Sequence, residues 1–340
     1  MKRLLISLLA GVLALMAVAQ EARLKETEVT ITAGGVTLAG TLTLPSNATA
    51  PVPAVVLVTG SGTQDRDETL LGHKPFAVIA HYLAANGIGS LRYDDRGAGA
   101  SSPLKGDETT LDYAGDAQAA LAFLRLCDGV DAKRCGFIGH SEGGTIAIIN
   151  AAAVHAPVHP AFIVTLAAPA LPGKQGLIDQ NLGIGKVAGM TMTAEQQQAL
   201  TAMFDHIATI GNPLRLTAAL MHDISIVSPQ YPPQVVERQI AAMTSPWYRF
   251  FVKYDPTAEL KTITCPVLAL YGEFDLQVRA SGNAAAMRAK CPKATVITLP
   301  GHNHLFQRCA GAAEGLNYAA IKEDISDKAL TTIADWIKQQ

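Results

Sequence analysis

The chain has 340 residues, 27 Lys and Arg against 29 Asp and Glu, and a formal net charge of −2. With 49% hydrophobic and 16% charged residues it is neither disordered nor low-complexity. The balanced charge excludes the basic footprint of a nucleic-acid binder. The length suits one large domain or two ordinary ones.

The N-terminus reads as an export signal. Lys2 and Arg3 precede an apolar run from Leu4 to Val18, and Ala17-Val18-Ala19 has the small-x-small pattern of a cleavage site. The run is shorter than the roughly 20 residues that span a bilayer. Residues 1–19 are therefore expected to be removed, leaving an exported protein, periplasmic or secreted, with no stable membrane insertion. Five cysteines leave one unpaired in an oxidising compartment. Cys127 with Cys135 and Cys265 with Cys291 are candidate disulfides; five separate thiols are the alternative. Cys309 is the odd one.

Alternation around Gly34-Gly35, over 29–31 and 36–44, predicts a β-hairpin. Ala54 to Val58 reads as a buried parallel strand. A helix over 76–85 stops at Asn86-Gly87. A strand at 88–93, a helix at 110–126, a strand at 136–139, a helix from about Gly143 and a strand at 162–166 follow. The alternation lapses over 172–260, which is helical in parts (194–210, 233–243) and lacks a convincing buried strand. It resumes with a strand at 266–271, a helix at 281–290, a strand at 295–299 and a final helix to Lys338. Strand–helix alternation predicts an α/β protein with a mainly parallel, doubly wound sheet. The expected organisation is a core in two parts, 20–171 and 261–340, with an inserted helical lid at 172–260.

Gly139-His140-Ser141-Glu142-Gly143-Gly144 follows a strand and opens a helix. That is G-x-S-x-G in its strand–turn–helix context, and it marks Ser141 as a nucleophile. A serine hydroxyl needs a base, and in such elbows the partners follow in the order Ser, acid, His. Asp275, after the strand ending at Tyr271, is the candidate acid, with Glu273 as a rival better suited to capping the turn. The loop after Leu299 offers two bases, His302 and His304. The H-x-H spacing recruits no third ligand nearby, so no metal is expected.

Four motifs stand in order along the chain: Gly60 to Asp67 (G-S-G-x-Q-D-R-D), Tyr93 to Gly97 (Y-D-D-R-G), Gly139 to Gly144 (G-H-S-E-G-G) and Asn303 to Gln307 (N-H-L-F-Q). On these the chain resembles the α/β-hydrolase superfamily, in the branch of secreted bacterial serine esterases and peptidase-like hydrolases. The resemblance spans nearly all of the chain beyond residue 20. It implies His304 as base and the α/β-hydrolase fold. It also implies an oxyanion hole formed by the backbone N–H groups of Ser61 and Glu142, with Gly62 the next choice after Ser61. Substrate contacts are expected from Gly62, Gln64, Trp247 and Tyr248.

Asp65, Arg66 and Asp67, like Asp94, Asp95 and Arg96, read as a charged network pinning the loops; a substrate contact from Arg66 is the alternative. The Glu142 side chain either tunes substrate charge or holds the Gly60 loop. The aromatics of 247–251 line an acyl pocket or form the lid's own small core. The expected activity is hydrolysis of small-molecule carboxylic esters through an acyl-enzyme, without a cofactor. The same residues also serve an amide or peptide hydrolase or an acyltransferase. A silent binding protein would lack one of Ser141, Asp275 and His304.

Overall fold

A computed structural model describes residues 24–340, so the expected leader at 1–19 lies outside the described residues. The strands are β1 (Leu24–Ala33), β2 (Val36–Pro45), β3 (Val52–Val58), β4 (Gly89–Tyr93), β5 (Val130–His140), β6 (Ile163–Leu166), β7 (Val267–Gly272) and β8 (Ala294–Leu299). They form one sheet in the order β1-β2-β4-β3-β5-β6-β7-β8. β1 and β2 are an antiparallel hairpin. Its turn residues Gly34 and Gly35 have φ of 54° and 86°, the positive values that a two-residue I′ turn requires. β2 pairs antiparallel with β4, and from β4 to β8 all pairs are parallel. Every residue of β3, β4, β6 and β7 is buried, as expected for strands covered on both faces.

Parallel strands end at one edge of the sheet, and the crevice outside those ends is where such folds bind ligands. Here that edge carries the loops after β3, β4, β5, β7 and β8, which hold all four sequence motifs.

The sheet is flanked by α1 (Pro75–Ala85), α2 (Thr110–Leu124), α3 (Glu142–Ala152), then, after the insertion, further helices. Between β6 and β7 lie α4 (Gly173–Val187), α5 (Ala194–Thr209), α6 (Pro213–Val227), α7 (Pro233–Met243), α8 (Pro246–Lys253) and α9 (Thr257–Thr262). α10 (Ala280–Lys290), the short α11 (Ala312–Gly315) and α12 (Asp327–Ile337) complete the chain. Local signals set the helix starts. Thr109 and Asp112 form a capping box at α2, Thr193 and Gln196 another at α5, and Asn212 and Ser245 cap α6 and α8, each before an N1 proline.

Two apolar clusters result. The large one fills both faces of the sheet. The small one joins Leu200, Met203, Phe204, Ile207, Leu216, Leu220, Ile224, Ile240 and Val252, all within the insertion. α9 already returns to the main cluster through Leu260. Among the described residues no helix is long and apolar enough to cross a membrane.

Some element boundaries differ from expectation. β5 begins at Val130, six residues before the expected start at Gly136, because the at least partly exposed Asp131 to Arg134 precede its buried run from Cys135 to His140. All five cysteines are free thiols, which corrects the paired reading. Cys127 Sγ instead donates to the Phe123 carbonyl and Cys135 Sγ to the Asp131 carbonyl. Burial raises the thiol pKa at both, and pushes Cys265 up to about 11, so none is a reactive thiolate near neutrality.

Candidate active site

Ser141 is the single residue between β5 and α3. Its φ is 52° and ψ −116°, a strained conformation for a residue with a Cβ. Its N–H is held by the Leu166 carbonyl at 2.7 Å. The glycines of the motif are required by contact. A Cβ at Gly139 would strike the Gly143 carbonyl, and one at Gly143 would strike that of Val58. The elbow therefore packs directly on the ends of β3 and β5.

Asp275 follows β7 and is 2% exposed. Its Oδ1 accepts the N–H groups of Gln277 (2.8 Å) and Val278 (2.9 Å), and its Oδ2 faces His304 Nδ1 at 2.8 Å. A carboxylate can only accept, so His304 Nδ1 carries the proton and Nε2 is left as the basic nitrogen. The N-H-L-F-Q motif is largely scaffold for this ring. Asn303 Oδ1 accepts from Leu305 N and Gln307 N, its Nδ2 donates to Gln307 Oε1, and Gln307 Nε2 donates to the Glu323 carbonyl. Phe306 takes φ of 60° to close the turn.

The rivals are placed elsewhere. His302 is 4% exposed, with Nδ1 2.7 Å from the Pro300 carbonyl and Nε2 2.8 Å from Ser326 Oγ. Both nitrogens are engaged, one within the loop and one at Ser326, the N-cap of α12. Glu273 Oε2 accepts the Gly301 N–H at 2.8 Å and caps the turn.

Around the Gly60 loop the charged motifs interlock. Arg66 donates to Asp94 through Nε and Nη2, and to Glu28 and Thr41 through Nη1. Asp95 accepts from Thr59 Oγ1 and the Gln64 N–H. Arg96 makes a bidentate pair with Asp116 at 2.6 and 2.7 Å. Arg92 pairs with Asp67 and Glu26. The Gly60 N–H is taken by Glu68 Oε1 at 2.6 Å, which leaves Ser61 as the next backbone donor on the loop. Gln64 turns its side-chain amide back onto the Ser61 carbonyl at 3.2 Å.

A cavity of about 830 Å³ lies between the sheet edge and the insertion. Ser61, Ser141, Trp247 and Tyr248 line it, together with Met190, Met192, Phe251 and the amides Gln180, Asn181, Gln196, Gln230 and Gln277. Gly62 and Gln64 do not line it. Gly62 faces a narrow cleft behind the loop, beside Asp95, Tyr113 and Glu142. The segment 247–251 has both fates considered from sequence. Trp247, Tyr248 and Phe251 face the cavity, while Tyr248 also packs on the insertion's own cluster.

Two connections have no local signal in sequence. Glu142 is 2% exposed, and its Oε1 accepts Thr110 Oγ1 and Trp247 Nε1, both at 2.7 Å. Burial raises its pKa, opposed by those bonds and one from Ser61. The side chain thus ties the elbow to α8 of the insertion, 105 residues away. His140, the residue before Ser141, bridges Glu68 and the His304 main chain.

Residues 73–308 match the family described as Serine aminopeptidase, S33. The chain belongs to this family. Within the S33 family match lie Ser141, Asp275, His304 and the whole insertion; the Gly60 loop precedes it. Esterase EstD of Thermotoga maritima is 26% identical over 306 residues, covering 88% of this chain and 65% of the esterase. The chain thus spans about 65% of the length of that relative. Among solved structures, the hypothetical protein PA2218 from Pseudomonas aeruginosa superposes with a TM-score of 0.59 at 18% identity, covering 94% of each chain. The Pyrococcus furiosus esterase Pf2001 does so at 0.56 and 14%, covering 94% of this chain and 92% of the other. These likenesses, with the sheet order, make the fold that of an α/β-hydrolase.

Proposed function

We propose that this protein is an exported serine hydrolase that cleaves carboxylic esters, with Ser141 as nucleophile, His304 as base and Asp275 as the orienting acid. The observation that carries the reading is Ser141 on a strained elbow, open to an uncharged cavity, together with a buried His304–Asp275 pair whose imidazole lies 4.7 Å from the ring of His140, the residue before Ser141. The Ser141 hydroxyl attacks the ester carbonyl while its proton passes to His304 Nε2. The N–H groups of Ser61 and Glu142 receive the oxyanion, aided by the N-terminus of α3. Collapse expels the alcohol, which takes the proton from His304. Water then attacks the acyl-enzyme, gives its proton to His304, and releases the acid as Ser141 regains its hydrogen. Every step balances with water as the only co-reactant.

The family name raises an aminopeptidase reading, and the cavity speaks for ester over aminoacyl substrates. Among the described residues that line it, none is Asp, Glu, Lys, Arg or His. A substrate α-ammonium desolvated there would lack a counter-charge. Glu142, the adjacent carboxyl group, is turned onto Thr110 and Trp247 instead. The named relative is itself an esterase. The insertion acts as a lid whose inner wall shapes the acyl pocket.

The test is a panel of p-nitrophenyl acetate, butyrate and octanoate against aminoacyl p-nitroanilides. Turnover of the esters, absent in Ser141→Ala, is expected. Preferential cleavage of the anilides would replace the ester reading by the peptidase one. Mass spectrometry of exported protein should find an N-terminus near Gln20; retention of Met1 would defeat the leader assignment.

A further inference from the structure

His140 and Glu68 take no part in the bond-making steps above, yet both are buried beside them, at 6% and 5% exposure. The His140 ring is held at both nitrogens. Nδ1 lies 2.9 Å from Glu68 Oε1 and Nε2 lies 3.1 Å from the His304 carbonyl oxygen. A carboxylate and a carbonyl both accept, so the ring satisfies the two only as a doubly protonated imidazolium. The same Glu68 oxygen accepts the Gly60 N–H at 2.6 Å. Glu68 holds this place at φ 53°, a strained conformation that persists only where the surroundings fix it. The walls around the pair are apolar, with Phe76, Ile79, Leu166, Leu305, Phe306 and Ile325. Of other charged or titratable groups, Asp275 faces His140 from the loop after β7, and His304 stands with its ring centroid 4.7 Å away, tilted 50°. Asp95, in the turn after β4, faces Glu68 and Glu142.

We propose that Glu68 and His140 form a buried ion pair that positions the general base. His140 is joined to the nucleophile by a peptide bond, to the base loop through the His304 carbonyl, and to the oxyanion loop through Glu68 and Gly60. One pair of side chains thereby fixes three loops that come from different strands. Burial pulls the pKa of His140 itself down, but the charge and hydrogen bond of Glu68 and the His304 carbonyl leave it above its ordinary value.

This inference rests on His304 being the base. The test measures kcat and KM for p-nitrophenyl butyrate at pH 7 in wild type, His140→Gln, Glu68→Gln and the double variant, with thermal melts alongside. His140→Gln keeps a side-chain N–H but loses the charge; Glu68→Gln removes the carboxylate that holds the second proton on His140. The expected result is a loss of about 10- to 100-fold in kcat at pH 7, with KM within about twofold. The double variant should lose no more than either single one, because each dismantles the same pair. Losses that multiply in the double variant, or a kcat within about twofold of wild type in folded single variants, overturn the proposal. If His140→Gln does not fold, Glu68→Gln decides by its kcat alone. Labelling of Ser141 by a fluorophosphonate separates the two readings. No labelling defeats the serine-hydrolase assignment, and labelling with multiplied losses or an unchanged kcat defeats only the ion-pair role.

Discussion

Replacing Asp275 by Asn changes one atom of a buried side chain, and the structure dictates how the new amide must sit. The oxygen at the Oδ1 position receives two main-chain N–H groups, from Gln277 at 2.8 Å and Val278 at 2.9 Å. An amide has one oxygen, and those two donors claim it. Turned the other way, the NH2 group would face both donors and leave two buried N–H groups unpaired, at ~1–3 kcal/mol each. The NH2 therefore faces His304 Nδ1, which must present a lone pair. The ring proton moves to Nε2, where the Ser141 proton was to be received. In the serine-protease template this wrong tautomer lowers kcat by about 10⁴, equivalent to ~5.5 kcal/mol on the barrier. The assay is steady-state hydrolysis of p-nitrophenyl butyrate with a thermal melt. KM and Tm should change little, because all three hydrogen bonds at position 275 survive. A kcat within about tenfold of wild type would show that Asp275 does not orient the base.

Ser141→Gly should abolish turnover yet raise Tm by several degrees, because glycine relieves a φ of 52° worth ~1–3 kcal/mol of strain; a fall in Tm would contradict that strain. Arg96→Met should destabilise by ~3–5 kcal/mol in urea titration, since Asp116, 2% exposed, loses its bidentate partner; a loss below ~1 kcal/mol would deny the pair that role. Burial pushes Asp95 up to about 7, against the hydrogen bonds from Gln64 and Thr59. A raised carboxyl pKa stabilises the fold below its ordinary value of 3.8, and that stabilisation is lost as pH rises towards 7. The Tm of Asp95→Asn minus that of wild type should therefore grow between pH 4 and 7, and a flat difference would refute the shift.

The features readable from sequence were those with a local period or a local contact. The hairpin at Gly34-Gly35, the all-apolar strands and the helices expected over 194–210 and 233–243 depend on neighbours within a few residues. The elbow motif belongs here too, because Gly139 meets Gly143 and Gly144 across its own turn. α4 escaped notice because its sequence, GKQGLIDQNLGIGKV, carries four glycines and little helix propensity. The bonds from Glu142 to Trp247 and from His140 to Glu68 join residues 105 and 72 apart. No spacing rule reaches so far, and each of these residues alone resembles an ordinary motif or loop position. Glu68 was also hidden by its backbone, since a positive φ is announced by glycine or asparagine and not by glutamate. Gln64, expected at the substrate, is instead spent on bracing its own loop through Asp95 and the Ser61 carbonyl.

The insertion keeps its own apolar cluster, separate from the one that stabilises the sheet. Substitutions at distant, unshared positions act nearly independently on stability. A lineage can thus exchange Met190, Met192 or Tyr231 on the cavity wall, or lengthen a loop between α5 and α7, while Ser141, Asp275 and His304 remain anchored to strands that do not register the change. On the proposed function, substrate range can change in one compartment while the bond-making groups stay in the other, with the Trp247–Glu142 bond as a link between them.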